Sequence, residues 1–582
     1  MENITAELSV KYKDLKSIVV ALISGFLFVV SWYPVGCPIF ILFAFIPLLL
    51  WENKILSKNT YQHRNYSSSH IFLYSFISFA IFNLARGWWV AMSVWFAILL
   101  PVFNATLMAL VFTIYHYFRK AFSNKKKTIL FFPLIWIMFE NIHQSWDLNF
   151  PWFNLGNAFA DMPAMVQWYE WLGASGGSLW ILMVNTLLAI TVISIHRNEM
   201  YLKYILISGS VLFIPIITSL IMYWNYKPNT EYPVNVVILQ PNLDPYHEQY
   251  RLTADSVCSL ILNMAEKEAD SATDYVIAPE SCLQEFGNED ELQNIPTIKR
   301  IMAFNDAYPK LNWIAGMSSY KPLHGIKTDA ARKKIVKDFN GDIIDTFYYE
   351  CSNIAVQIGK MTQENAITYR RKSYLTPTVE KMPFRKIFPF LESLSLDLGG
   401  TVGTLATDSK IRCFQNTNTG LTNGTLICYE SVCGDLVRKF SLKGNDILFV
   451  ITNDGWWGNT QGYRQHKSLS RLRAIENRRY ICRSANTGVS CVIAPNGDIL
   501  QQTPYWEQAT LKAQVYAQKD KTFYAKHGAM VYRIVNIVFL ISLFYVPLKI
   551  FFYFVQLVGL GFWTGLKSFV RWLFRLIKPR KS

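Results

Sequence analysis

The sequence predicts a polytopic α-helical membrane bundle of about eight transmembrane helices, carrying an α/β domain. Three observations predict it: a series of long apolar runs, basic residues confined to alternate loops, and a polar stretch in which strand-like and helix-like segments alternate. The composition agrees, at 51% hydrophobic and 15% aromatic with only 17% charged residues. That is too apolar and charge-poor for an average soluble chain.

Crossing the hydrocarbon takes about 20 predominantly apolar residues. Before residue 225 the candidate spans are 17–34, 37–52, 70–90, 92–117, 128–143, 175–195 and 203–224, the second and fifth of them short. The first run lacks an A-x-A-like end and further spans follow, so it reads as an anchor and not as a cleaved signal. Lys11, Lys13 and Lys16 precede it, Lys54, Lys58 and Arg64 follow the second span, and "FRKAFSNKKKT" follows the fourth. The loops on the other side, "YPVGC" and 144–174, carry neither lysine nor arginine. By the positive-inside rule the N-terminus is cytoplasmic and residue 225 emerges on the far side. The net charge of +16 is thus largely topological, and a nucleic-acid partner is not expected.

Residues 226–525 read as α/β. Strands are expected at 234–240, 274–280, 312–317, 353–359, 424–430, 446–454 and 489–495, with helices at 252–269 and 462–478 and tight turns at Asn340-Gly341 and Asn496-Gly497. The remainder, 526–582, holds an eighth span from about residue 530, then an interfacial helix over 549–565 and a basic cytoplasmic tail containing Arg571, Arg575, Lys578, Arg580 and Lys581. Nine cysteines and nine histidines show no C-x-x-C or H-x-x-x-H spacing, so neither a metal nor another cofactor is expected, and the thiols are read as mostly unpaired and buried.

Chemistry resides at predicted strand ends. "YVIAPE" ends in Glu280, "YRRKSYLTPTVEKMP" presents Lys372 in a cationic run, and "GTLICYE" puts Cys428 at the end of a β-favouring run. Alone, each has a plain reading: a salt-bridged carboxylate, a solvated basic run, a packed small thiol. A cysteine enzyme needs a thiolate, a proton carrier and an oxyanion stabiliser, and the order Glu, Lys, Cys supplies all three.

In those residues, and in "FPWFNLGNAFAD" (150–161), "LQPNLDP" (239–245) and "NDGWWGNTQGYRQHKSLSRLRAIENRRYICRSANTGVS" (453–490), the chain resembles the apolipoprotein N-acyltransferase family, a membrane-embedded branch of the nitrilase superfamily. The resemblance implies an α-β-β-α sandwich and a triad of Cys428 as nucleophile, Glu280 as general base and acid, and Lys372 as electrostatic stabiliser. It further implies that Glu380 is a required carboxylate and that Tyr429 and Glu430 flank the nucleophile. The usual "HLVPFGE" is here "YLTPTVE", so Tyr374, Thr378 and Val379 replace familiar residues, and only Tyr246 and Tyr250 stand where a tryptophan often follows "QPN". Segment 318–350 is enlarged.

The implied reaction is a ping-pong transfer of an acyl chain from a phospholipid, by resemblance the sn-1 chain of phosphatidylethanolamine. It passes through a Cys428 thioester to the α-amino group of a diacylglyceryl-cysteine on an apolipoprotein. The expected partners are that donor, that acceptor and the bilayer, for a monomer in the bacterial inner membrane with a periplasmic catalytic domain. Lys372 is expected to lower the Cys428 pKa from its free value of about 8.5. Trp456 and Trp457 read equally as a membrane-facing flap and as core, and Arg86 beside Trp88 and Trp89 more readily as an interfacial anchor than as a phosphate ligand. The alternative is a membrane-tethered amidase using water. A transporter with a decayed enzyme domain would instead need intramembrane charges lining a path, and the spans show few.

Overall fold

A computed structural model describes residues 2–62, 68–122, 126–308, 310–325, 328–337, 343–359, 367–384 and 404–545. The turn at Asn340-Gly341, the apolar run 549–565 and the basic tail lie outside the described residues.

The apolar runs form helices α1 (Glu2–Ser31), α2 (Ile46–Gln62), α3 (Ser68–Gly87), α4 (Leu99–Lys120), α5 (Phe131–His143), α6 (Tyr169–His196) and α7 (Tyr201–Asn225). Among the described residues, five stretches are long and apolar enough to cross a membrane: Pro38–Ser57, Ser69–Met92, Trp95–Lys120, Tyr169–His196 and Tyr201–Asn225. The shorter apolar segments Leu15–Ser31 and, after the α/β part, Met530–Leu540 accompany them. α5 has 13 residues and stops where "QSWDLN" turns polar. Between α3 and α4 the chain does not cross directly. Two 3-10 turns, Trp88–Met92 and Trp95–Ile98, interrupt the hairpin and leave Trp95 81% exposed. One cluster of buried charges in the bundle closes on itself: Glu52 accepts from Arg119, sits 2.7 Å from His116, and all three are fully buried. Such a closed cluster is how buried charges are tolerated.

The polar stretch forms two sheets. The first contains β1 (Pro233–Gln240), β2 (Tyr275–Ile277), β3 (Leu283–Asn288), β4 (Asn312–Leu323), β5 (Arg332–Lys337), β6 (Ile343–Ile358), β7 (Ile367–Arg371) and β14 (Ala509–Tyr516). Its order is β14-β1-β2-β4-β6-β5, with β3 on β4 and β7 on β6. The second runs β13-β12-β11-β10-β9-β8, made of β8 (Phe414–Gln415), β9 (Thr422–Ile427), β10 (Ile447–Thr452), β11 (Ile481–Ala485), β12 (Cys491–Ile493) and β13 (Ile499–Gln502). In the cores of both sheets the pairing is parallel: β1 with β2 and β2 with β4, β9 with β10 and β10 with β11. Parallel strands buried on both faces need near-continuous apolar runs, as in "VVIL" and "ILFVI".

Ile238, Ile277 and Ile314 of one sheet meet Ile427, Phe449 and Ile451 of the other in a shared core. Outside the first sheet lie α8 (Ala254–Glu266) and α9 (Pro296–Asn305), packed through Ile261, Met264, Ile298 and Ile301. Outside the second lie α10 (Gly434–Leu442) and α11 (Gln461–Asn477). This is the four-layer α-β-β-α, nitrilase-like arrangement. Asn496-Gly497 forms its tight turn, with Gly497 at φ +87°.

Candidate active site

Glu280, Lys372 and Cys428 each follow directly or closely on a strand: β2, β7 and β9. All three line one open cavity with about 1260 Å³ of empty space. Two backbone features set the geometry. Cys428 has φ +48°, a left-handed conformation that costs a non-glycine residue about 1–3 kcal/mol and clusters at functional sites. It turns the chain from β9 into the 3-10 turn Cys428–Val432, so the thiol points off the strand end. Gly316 of β4 lies so close to Glu280 that a Cβ there would come within 2.6 Å of the Glu280 Cα.

The Lys372 ammonium is buried, 3.2 Å from Glu280 Oε1 and 2.8 Å from Glu380 Oε1. Asn353 of β6 donates one amide to both carboxylates, at 2.8 and 3.0 Å. The Asn453 N–H donates to Glu280 Oε2 and the Thr376 N–H to Glu380 Oε2. Burial pulls the Lys372 pKa down, yet the charges of Glu280 and Glu380 outweigh it and hold the ammonium above its ordinary value. Burial pushes Glu380 up, and Lys372 with its hydrogen bonds brings it below the usual carboxylate range.

The expectation of a lowered Cys428 pKa fails. Burial first, then the Glu280 charge, raise the thiol far above its ordinary value, and the opposing pull of Lys372 does not compensate. Placing a negative charge on a sulfur packed beside Glu280 costs more than one cation already shared by two carboxylates returns. At rest the Cys428 side chain is a thiol, so any attack by it requires a base.

Glu430 does not line the cavity. It is fully buried, and its two oxygens accept from Arg370, from the Ser373 N–H at 2.6 Å and from the Ile427 N–H at 2.8 Å. It ties the strand end bearing Cys428 to the one bearing Lys372. Tyr429 lines the cavity and donates to the Asn149 carbonyl at 3.1 Å. Trp456 and Trp457 also line it. Trp457 packs on Trp89 at 4.8 Å and Trp152 at 5.8 Å, both from the bundle, while Trp456 meets Tyr246 and Tyr250. Val90, Ser93, Ala97 and Leu100 carry the cavity wall into the interrupted α3–α4 hairpin. The Arg86 fork is occupied by the Val29 carbonyl and the Gln461 side chain, an anchor between bundle and α11.

Sequence reasoning missed Asn353 and the group behind the cysteine. His466 lies 2.9 Å from Asp454 and 3.2 Å from the Cys428 carbonyl, Ser431 donates to that carbonyl at 2.8 Å, and Arg483 donates to Asp454 at 2.5 Å. Burial and the Arg483 charge lower the His466 pKa; burial raises that of Asp454, but Arg483 and His466 take it well below the usual range. His466 and Asp454 sit in the 453–490 segment, whose density of polar residues on a helix was the available signal. Cys433 is a buried thiol pushed up to about 11 by burial, packed with Leu426 and Phe440, and all nine cysteines are free.

Comparison with known proteins places this geometry. Residues 24–187 match the family described as Apolipoprotein N-acyltransferase N-terminal domain, and residues 236–519 match Carbon-nitrogen hydrolase. The apolipoprotein N-acyltransferase of Chlorobaculum tepidum is 27% identical over 464 residues, 78% of this chain and 84% of its own. That of Rickettsia prowazekii is 27% identical over 432 residues, 72% of this chain and 75% of its own. That of Geobacter metallireducens is 24% identical over 405 residues, 69% and 70% respectively. With both matches in series along a bundle and a four-layer α/β sandwich, the chain belongs to the apolipoprotein N-acyltransferase family of the nitrilase superfamily.

Proposed function

We propose that this protein N-acylates lipoproteins, transferring an acyl chain from a phospholipid to the α-amino group of an N-terminal diacylglyceryl-cysteine. The observation that carries the reading is one cavity that holds Cys428, Glu280 and Lys372 at its polar end and is walled by bundle residues at the other. A soluble amide substrate would not need that second wall.

In the first half-reaction Glu280 takes the Cys428 proton as sulfur attacks the ester carbonyl carbon. Lys372 and the Tyr429 N–H stabilise the oxyanion, a contribution typically of about 3–4 kcal/mol per donor. The intermediate collapses with the C–O bond breaking, and protonated Glu280 gives its proton to the departing lysophospholipid oxygen. A thioester remains on Cys428. In the second, the lipoprotein amine, partly neutral at physiological pH with a reference pKa of about 7.7–8.0, attacks the thioester carbon. Glu280 accepts its proton and returns it to the leaving Cys428 sulfur. Glu380 and Asn353 hold Lys372 and Glu280 in register, and Trp456 and Trp457 border the entry for acyl chains.

The arrangement proposed with this is a membrane domain of seven spans over 1–225, a periplasmic catalytic domain over 226–525, and an eighth span with a cytoplasmic tail over 526–582, in the inner membrane and as a monomer. Phosphatidylethanolamine is the proposed donor, through its sn-1 chain. The test is incubation of the purified full chain with phosphatidylethanolamine and a diacylated lipopeptide, followed by mass spectrometry. The expected result is an acyl adduct on Cys428 and a triacylated peptide. Free fatty acid without acylated peptide would overturn the transferase reading in favour of hydrolysis.

A further inference from the structure

A second cleft, sharing no lining residue with the first, opens where the α/β part meets the apolar helix that follows it. It has about 790 Å³ of empty space and is bordered by Asn141, Arg438, Lys526, His527, Tyr532 and Arg533. These come from α5, α10, α12 (Phe523–His527) and α13 (Met530–Tyr545). Asn141 stands in the last turn of α5, whose following loop leads to Phe150 in the wall of the catalytic cavity, so both openings lie at the same end of the bundle.

The cleft is basic. Arg438 bonds Asp435 at 2.7 Å. Among the described residues neither Lys526 nor Arg533 has a carboxylate within 4.0 Å. The site is also built. Gly528, at φ +65° between the lining residues His527 and Ala529, is packed so closely that a Cβ there would come within 2.3 Å of the Arg438 guanidinium carbon. The guanidinium therefore lies flat where any other residue would put a side chain. Arg533 donates to the His527 carbonyl, which fixes a second cation beside the first.

Directly along α13 from these cations the helix turns apolar and open. Arg533, Ile537 and Leu540 fall at i, i+4 and i+7, on one face, with Ile537 56% and Leu540 54% exposed. Adjacent Ile534 is 49% exposed. Fixed cations at the head of an open isoleucine and leucine stripe match one chemistry, a phosphate joined to acyl chains. A free anion would use the cations and leave the stripe without a partner.

We propose that this cleft is an accessory phospholipid site, holding the headgroup phosphate against Arg438, Lys526 and Arg533 while the acyl chains follow Ile537 and Leu540. It rests on α13 entering the bilayer and is independent of the acyl-transfer reading, because its lipid is bound and not consumed.

The test is native mass spectrometry of the full chain in detergent micelles doped with phosphatidylglycerol, with Tm measured on every variant. The wild type retains the lipid and Lys526→Gln/Arg533→Gln binds it roughly thirtyfold more weakly, the loss expected for two basic contacts near a lipid headgroup. Ile537→Glu, at an exposed position, also loses the lipid without depending on the basic pair. Cys428→Ala retains it, and inorganic phosphate in large excess leaves it bound. Equal retention by the double variant, or by Ile537→Glu, would overturn the site. Displacement by inorganic phosphate would make it a small-anion site instead, and loss in Cys428→Ala would place the lipid in the catalytic cavity.

Discussion

Replacing Lys372 with methionine removes the ammonium that two buried carboxylates share. In the wild type it is 1% exposed and bonds Glu280 at 3.2 Å and Glu380 at 2.8 Å. The variant leaves those carboxylates to neutral donors, the Asn353 amide and the N–H groups of Asn453 and Thr376. Breaking a buried pair by deleting one partner costs about 3–5 kcal/mol, or roughly 6–10 °C in Tm for a unit of about this size. The sign with pH follows from the shifts. The depressed Glu380 adds stability above its unfolded pKa of about 4.3, lost only as pH falls through the lower folded value. The raised Lys372 adds stability below its unfolded pKa of about 10.4, lost only as pH rises through the higher folded value. Between about pH 5 and 9 the wild-type cluster therefore contributes evenly. Without Lys372, burial dominates and raises the Glu380 carboxyl, so Lys372→Met loses stability as pH rises from 5 to 8. The assay is thermal unfolding of the full chain in detergent at both pH values, followed by tryptophan fluorescence. A variant as stable at pH 8 as at pH 5 would refute the view that Lys372 neutralises buried carboxylates.

Cys428 alkylation should be slow at neutral pH and accelerate up to strongly alkaline pH, because burial and Glu280 keep the thiol protonated; Cys433→Ala should leave the acyl adduct intact while Cys428→Ala abolishes it, as peptide mass mapping would show. His466→Ala should slow thioester formation about 10-fold by leaving the Cys428 carbonyl of the left-handed turn to Ser431 alone, a loss within the about 1–3 kcal/mol such backbone stores. His466→Gln, which keeps a donor toward that carbonyl, should recover part of the rate in single-turnover measurements at unchanged Tm; no difference between Gln and Ala would refute the positioning role.

The sequence disclosed whatever depends on neighbours along the chain. Runs such as "VVIL" and "ILFVI" identify buried parallel strands because both faces must be apolar, and Glu280, Lys372 and Cys428 were recognisable as strand-end residues for the same reason. It was silent where a strand carries charge. β11 reads "ICRSA", yet Arg483 within it is fully buried, because the Asp454 carboxylate from elsewhere neutralises it, with His466 Nδ1 3.1 Å away. Asn353 looked like the polar start of an apolar run, and its role appears only when residues 73 and 27 positions away meet on its amide. The Cys428 pKa failed for a related reason: "K" and "C" in one site suggest attraction, whereas burial and the sharing of Lys372 by Glu280 and Glu380 decide the sign.

The bundle is part of the scaffold of the cavity that holds Cys428. Tyr429 bonds the Asn149 carbonyl, Tyr374 the Gln144 carbonyl, and Trp152 donates to Gln465 of α11 at 2.7 Å. The Ala174 N–H at the head of α6 donates to Glu476 at 2.8 Å, and Arg478 reaches Gln167 at 2.7 Å. Trp89 and Trp152 cover Trp457, and Gly462 is packed so tightly on Trp89 that a Cβ would come within 2.6 Å of the ring. Residues 226–525 expressed alone would lose all of these at once, exposing Trp457 and Tyr429 and freeing the segment after Cys428. Buried polar groups stripped of partners cost about 1–3 kcal/mol each, so several such losses rival the about 5–15 kcal/mol that holds a typical domain together. The isolated piece is therefore expected to form no acyl adduct when offered a detergent-soluble ester, and to bind a hydrophobic dye that the full chain excludes from this face. Adduct formation at the rate of the full chain would show the opposite: that the sandwich alone orders Cys428, and that the bundle serves only to bring lipid to it.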